Sequence, residues 1–148
     1  MKKLTLTFVL TALILSACSA FGSMQINNAR SRWQASGITH YRYNLRVGCF
    51  CAFVERMPLT IEVQDGQVVS MQYKDGTPVD PEGRKVFERY ETIDKLIGFT
   101  AESQKKADAI KIAYDPQHGF PSSVDIDFIQ QAADDELSLQ VTDFQPLP

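Results

Sequence analysis

The sequence has few of the residues that catalytic and metal sites most often use. Three cysteines and two histidines occur among 148 residues, and His40 and His118 have no metal-ligand spacing relative to the cysteines. The sequence has no Gly-x-Ser-x-Gly nucleophile elbow, no phosphate-binding glycine loop and no His-Glu-x-x-His zinc motif. We therefore expect a protein that is not an enzyme and that uses no cofactor.

Basic charge is also scarce, and so are long apolar runs. The 15 Lys and Arg are outnumbered by 18 Asp and Glu, which gives a formal net charge of −3. An acidic chain is repelled by phosphate backbones, so nucleic acid is not an expected partner. The main apolar run covers residues 4–15, which is too short for a membrane-spanning helix of about 20 residues. No second run approaches that length.

This apolar run has the features of a bacterial lipoprotein signal. Lys2 and Lys3 precede it, and the motif Leu-Ser-Ala-Cys closes it at Cys18. We expect cleavage before Cys18 and attachment of acyl chains, such as palmitate, to the new amino-terminal cysteine. On this interpretation residues 1–17 are a cleaved signal peptide and residues 18–23 a lipidated tether. Residues 24–148 then form a single globular domain, which is a usual size for one hydrophobic core.

The lipid anchor also predicts a location. Ser19 is not the aspartate that commonly retains lipoproteins at an inner membrane. We therefore expect the cell envelope and, in a bacterium with two membranes, the outer membrane facing the periplasm. The tether extends to about 18 Å at most, so the domain should lie close to the lipid surface. The expected partners are the membrane, through Cys18, and an envelope protein or a small ligand.

Apolar periodicity predicts two helices and six strands. The helices are expected over residues 24–36 and from Thr92 to Lys106. The strands are expected at residues 41–53, 59–63, 69–73, 110–114, 124–128 and 137–141. Residues 75–84 contain two prolines and two glycines and predict an irregular loop. The order of helix, three strands, helix, three strands indicates an α+β fold, with a single antiparallel sheet whose apolar face is covered by a helix.

Asp65 and Gly66 predict a hairpin between the second and third strands. A two-residue turn would direct Val69 toward solvent, because it shifts the alternation of the third strand by one residue. A three-residue loop at 64–66, with Gly66 as a left-handed bulge, pairs Ile61 with Val69 and keeps the apolar residues inside. We therefore predict the bulged turn.

Several segments spread over most of the chain form a distinctive combination. They are Trp33, Tyr41-Arg42-Tyr43, Cys49-Phe50-Cys51, the Asp65-Gly66 turn, the segment Tyr-Asp-Pro-Gln-His-Gly-Phe-Pro at 114–121, and Asp134-Asp135-Glu136. Together they resemble a bacterial lipoprotein family known as domain of unknown function 6174. No activity, ligand or catalytic residue comes with that family, so the resemblance implies a fold and a location only.

Cys49 and Cys51 are the cysteines that remain once Cys18 is lipidated. In a regular strand their Cα atoms would be about 6.6 Å apart, near the upper limit for a disulfide, so a bridge needs a local kink. Four interpretations stay open: a bridge that pins a bend, two reduced thiols buried as small apolar groups, a dithiol that exchanges with a redox partner, and a metal site. The bridge is favoured because the envelope is oxidising.

Acidic residues gather late in the chain. Asp125 and Asp127 share one face of a strand, and Asp134, Asp135 and Glu136 follow it. These five carboxylates are weak candidates for a calcium site, since hard cations prefer oxygen ligands. The loop order of an EF-hand is absent, and charges on a solvated sheet face explain the same composition.

The leading functional hypothesis is a membrane-anchored envelope lipoprotein with a non-enzymatic binding or scaffold domain. Phe50 falls on the polar face of its strand beside Ala52, where the two could form a small apolar contact patch. One alternative is a thiol-disulfide protein that uses Cys49 and Cys51. The other is a calcium-stabilised envelope protein.

Overall fold

A computed structural model describes residues 22–132 and 134–148. These residues form three helices and one open six-stranded antiparallel sheet, so the predicted α+β architecture is confirmed. The strands are β1 (His40–Gly48), β2 (Leu59–Gln64), β3 (Gln67–Gln72), β4 (Ala109–Tyr114), β5 (Pro121–Asp127) and β6 (Leu137–Pro146). The helices are α1 (residues 22–35), α2 (Pro81–Phe87) and α3 (Ile93–Ser103). Across the sheet the strand order is β3-β2-β1-β6-β5-β4.

One face of the sheet carries the core, and we call it the inner face. Alternate residues of β1 and β2 are almost completely buried there: Tyr41, Tyr43, Leu45, Val47, Leu59, Ile61 and Val63. Trp33 of α1 packs edge-on against Tyr41 and Phe144, with ring centroids 5.2 and 5.8 Å apart. The opposite, outer face carries Arg42 and Arg46, which are exposed. The predicted half-buried alternation is therefore present in β1.

Helix α3 packs on the inner face and is tied to the sheet by two tyrosine hydroxyl groups. The Tyr41 hydroxyl accepts a hydrogen bond from the Ile93 amide, and the Tyr43 hydroxyl donates to the Glu91 carbonyl. Thr92 caps the helix by accepting from the Lys95 amide, as its sequence position predicted. The helix ends at Ser103, earlier than expected.

The hairpin has a two-residue turn, so the predicted three-residue loop is wrong. Val63 pairs with Val68, which leaves only Asp65 and Gly66 in the turn. Both have positive φ, 49° and 75°, as a type I′ turn requires. This turn suits Asp-Gly because its twist matches that of the flanking strands.

The bulge that the alternation required lies in β3 instead of in the turn. Glu62 pairs with Ser70 and Val63 with Val68, so Val69 is the extra residue. Val69 is 54% exposed, whereas Val68 and Met71 are buried. One inserted residue therefore restores the inward direction of the apolar side chains beyond it.

The segment predicted as an irregular loop contains helix α2, and that prediction is wrong from Pro81 onward. Asp80 caps the helix by accepting from the amides of Glu82 and Gly83, at 3.0 and 2.9 Å. Proline is favoured in a first helical turn because its missing N–H needs no partner there. Phe87 fixes the helix by burying its ring beside that of Phe53, with centroids 5.0 Å apart.

The predicted signal peptide, residues 1–17, and the lipidation site Cys18 lie outside the described residues. Helix α1 already includes Gly22 and Ser23, which the sequence assigned to the tether. Within the described part of the chain, no helix has both the length and the apolar character needed to cross a bilayer.

Candidate functional site

The chain turns sharply at Cys49 and Cys51, directly after β1 ends at Gly48. Cys49 and Cys51 are joined by a disulfide, and their Cα atoms are 5.2 Å apart instead of the strand spacing. The Cys51 amide donates to the Cys49 carbonyl at 2.8 Å, which closes a three-residue γ-turn. This turn is the kink that a bridge between cysteines two residues apart in a strand requires.

Phe50 occupies the tip of this turn and is 85% exposed. The residue borders two depressions, with volumes of about 590 and 330 Å³. The smaller one is bordered by the two cysteines, Ala52 and Val54. Phe50 therefore projects beside two concave surfaces, in agreement with its predicted outer position.

The larger depression, which we call the outer cleft, runs across four strands. Its floor follows a row of directly opposed residues, in which Gly48 of β1 faces Ser138, Ser138 faces Asp125, and Asp125 faces Lys111 of β4. A Cβ atom at Gly48 would lie 2.3 Å from the Ser138 hydroxyl oxygen. Glycine at this position lets the serine side chain lie over the backbone of β1.

The fold brings four of the five predicted acidic residues to this cleft. Asp125, Asp127, Asp134 and Glu136 line it, and Asp125 and Asp127 share the outer face as expected. Asp135 is not part of the lining, although its charge acts on Asp127. The cleft therefore has an acidic wall and, at Phe50, an aromatic wall.

Asp127 is a carboxylate of the outer cleft whose pKa is raised by its surroundings. Burial raises its pKa, and the negative charges of Asp135, Glu136 and Asp108 raise it further. Its Oδ1 is shielded from solvent and has no hydrogen-bond partner among the described residues. A proton or a cationic group at this position would relieve that repulsion.

Calcium gains no geometric support at this cleft. Within residues 22–132 and 134–148, no three His, Cys, Asp or Glu side chains are arranged to hold a metal ion. The calcium hypothesis therefore stays a prediction from composition.

Sequence reasoning missed Gly48, Ser138 and Lys111 as parts of this site. They lie on β1, β6 and β4, and only the lateral order of the strands aligns them in one row. The alternation of each strand could have placed them on the outer face, but it carries no information about which strands are neighbours. Arg42, on the outer face of β1, donates to the Gln145 side chain at 3.3 Å.

Comparison with known proteins identifies a family without an assigned activity. The model of a family of unknown function, DUF6174, matches residues 25–146. The chain belongs to this family, as the resemblance in its sequence indicated. No curated protein and no solved structure matches the chain.

Proposed function

We propose that this protein is a lipid-anchored, non-enzymatic binding domain of the bacterial envelope, and that it contacts its partner through Phe50 and the outer cleft. The observation that carries this proposal is the exposed ring of Phe50 at the rim of a cleft of about 590 Å³. A large exposed apolar side chain beside a concave surface is typical of a contact site.

The disulfide supports this role because it restricts the backbone that carries the ring. The Cys49–Cys51 bridge and the γ-turn hydrogen bond restrict the backbone on both sides of Phe50. A side chain presented on a rigid turn loses less conformational entropy when a partner binds. Aromatic residues in such positions contribute a large share of binding energy in many interfaces.

The anchor would keep this domain close to the membrane. Helix α1 is described from Gly22 onward, four residue steps after Cys18. Four residue steps span about 14 Å at most. A partner in the same membrane, or at its surface, is therefore favoured over a distant one.

Photo-cross-linking in intact cells tests the proposal. A photoreactive phenylalanine analogue would replace Phe50. A matched variant would carry the analogue at Val69, which is exposed on the edge strand β3, outside the four strands of the outer cleft. We expect one discrete cross-linked product from position 50 and none from position 69. Equal labelling at both positions would refute a specific contact site. So would no labelling at either position, if added small molecules also fail to raise the unfolding temperature of the protein.

A second candidate function is thiol-disulfide exchange, because the two sulfurs are bonded and both cysteines are partly exposed. In that reaction a partner dithiol would be oxidised to a disulfide, while Cys49 and Cys51 take up two electrons and two protons. Free thiols counted in glutathione buffers of graded potential test it. A bridge that stays intact in the most reducing buffer excludes this function.

A further inference from the structure

The strand β4 forms one edge of the sheet, and its outer edge has no partner among the described residues. It pairs with β5 on one side only. On its other side the N–H and C=O groups of every second residue point away from the sheet, as on any edge strand. An edge of this kind can accept a further strand.

The opposite edge of the sheet, formed by β3, is protected by other parts of the chain, whereas the edge at β4 is not. Along β3, Gln72 forms a bridge with Pro78, and the Val79 amide donates to the Met71 carbonyl at 2.9 Å. The bulge at Val69 also interrupts this edge. In β4 the register with β5 is continuous from Ala109 to Ala113, and no backbone group of the described residues pairs with its outer side.

A second cleft lies on the inner face beside β4, with a volume of about 880 Å³. We call it the inner cleft. Ile110 and Ile112 of β4 line it and are only partly buried. Helix α1 contributes Ile26, and helix α3 contributes Gly98, beside which nothing lies within 4 Å of where a Cβ would be. The rest of the lining is largely polar and includes Arg30, Glu102 and Lys105, so apolar side chains of an added strand would have room beside Ile110 and Ile112.

The outer cleft reaches the same strand from the other face. Ala109 and Lys111 line it together with Asp125 and Asp127 of β5. Lys111 directly opposes Asp125, so this pair is balanced across the strands. Asp127 opposes Ala109, which supplies no positive charge. A basic side chain of an added strand could provide it.

We propose that β4 accepts an extended segment of a partner protein as a seventh strand, in which apolar residues facing the inner cleft alternate with polar residues, and in which one basic residue, opposite Ala109, faces Asp127 of the outer cleft. This inference deepens the proposed binding function and rests on it. Backbone pairing would supply the common part of the affinity, and the two clefts would select alternate side chains.

A second copy of this chain fits the edge less well. Antiparallel pairing of two β4 strands would bring the two Lys111 side chains opposite, or nearly opposite, each other. It would also bring two acidic outer clefts to the same face of the joined sheet. Like charges in such positions oppose association.

Short peptides test strand addition directly. The probe is a fluorescently labelled hexapeptide in which valine alternates with threonine, and a single lysine replaces the threonine that would oppose Ala109. It is titrated against the full chain in mild detergent by fluorescence anisotropy. Two further versions carry N-methyl groups on alternate amides, one for each edge of the peptide. We expect one methylated version to bind about tenfold or more weakly, because it loses the hydrogen bonds to β4, and the other to bind like the parent.

Charge variants test the side-chain part of the proposal. We expect the combined change Asp127→Asn and Glu136→Gln to weaken binding of the lysine peptide. Glu88→Gln, at an exposed position in the turn after α2, should leave it unchanged. The same peptide with glutamate in place of its single lysine should bind about tenfold or more weakly, because the glutamate would face Asp127.

Several results would overturn the proposal. They are no binding of the parent peptide, equal binding of both methylated versions, and a dimer of the chain that the peptide disrupts. A specific cross-link from position 50 combined with any of these would leave the binding function intact and remove strand addition alone.

Discussion

His40 is held between two hydrogen-bond acceptors at the start of β1. Its Nε2 lies 3.0 Å from the Glu62 carboxylate and its Nδ1 lies 2.8 Å from the Pro148 carbonyl oxygen. The doubly protonated ring donates to both, so the Glu62 hydrogen bond, and after it the Pro148 carbonyl, raise the pKa of His40 above its usual value of 6.5. The resulting stabilisation is fully present below pH 6.5 and is lost as the pH rises through the pKa of the folded state.

Proton titration of the His40 ring by nuclear magnetic resonance checks this interaction. We expect a midpoint above 6.5 in the native chain and a lower midpoint in Glu62→Gln, because the neutral amide attracts the proton less. Glu82→Gln, an exposed change on α2, should leave the midpoint where it was. An unchanged midpoint in Glu62→Gln would contradict the assignment.

Glu91 is a buried carboxylate with two partners of opposite charge. Arg84 Nε and Lys95 Nζ lie 3.0 and 2.8 Å from its oxygens, and the glutamate side chain is 5% exposed. The pair with Arg84 links α2 to the start of α3. Because removal of charge here leaves two cations without a counter-charge, we expect a larger loss of stability than at a surface ion pair.

Urea unfolding of Glu91→Gln measures this loss. We expect the free energy of unfolding to fall by about 2 kcal/mol, less than for a fully buried pair because both cations are partly exposed. Glu82→Gln breaks the exposed ion pair with Lys85 and should cost under about 0.5 kcal/mol. Equal losses in the two variants would show that burial adds nothing at Glu91.

Among the elements, α3 contains an interior glycine that its backbone does not require. Gly98 lies within the helix, and a Cβ added there would meet nothing within 4 Å. We expect Gly98→Ala to raise the free energy of unfolding by about 0.5–1 kcal/mol, because alanine loses less backbone entropy in a helix. The same substitution would narrow the inner cleft.

Thermal unfolding of Gly98→Ala against Gly119→Ala separates the two kinds of glycine. Gly119 has a φ of 86°, and an added Cβ would lie 2.8 Å from Cβ of Arg32, so alanine there should destabilise the turn. A loss of stability in Gly98→Ala would mean that the helix tolerates no side chain at this point.

Strands β1 and β3 and helix α3 show which features the local sequence pattern predicts and which features it does not. The alternation of β1 and the Thr92 cap of α3 were predicted correctly, because burial on one face and a capping oxygen are local requirements. The pattern of β3 required one extra residue but did not locate it, and the structure inserts Val69 instead of widening the turn. Both solutions bury Met71, so the preference of Asp-Gly for a two-residue turn decided between them.

For the whole molecule, the lipid anchor is the feature that the described residues do not include. We expect Cys18→Ser, expressed as the full chain, to lose labelling by an alkyne palmitate analogue and to leave the membrane fraction, because serine offers no thiol for diacylglycerol attachment. Ser19→Ala should keep both the label and the membrane location. Retained label in Cys18→Ser would show that the signal interpretation is wrong.

The number of strands and the exposure of Phe50 follow from the sequence alone, since each depends on residues close together in the chain, and the sequence favoured a bridge between Cys49 and Cys51 without excluding the alternatives. The meeting of Phe50 with four of the late acidic residues around one cleft depends on tertiary structure. The strand order places β6 between β1 and β5, so β1 and β5 border the same outer surface. That order follows from how the whole inner face packs against α1 and α3, which no local pattern encodes.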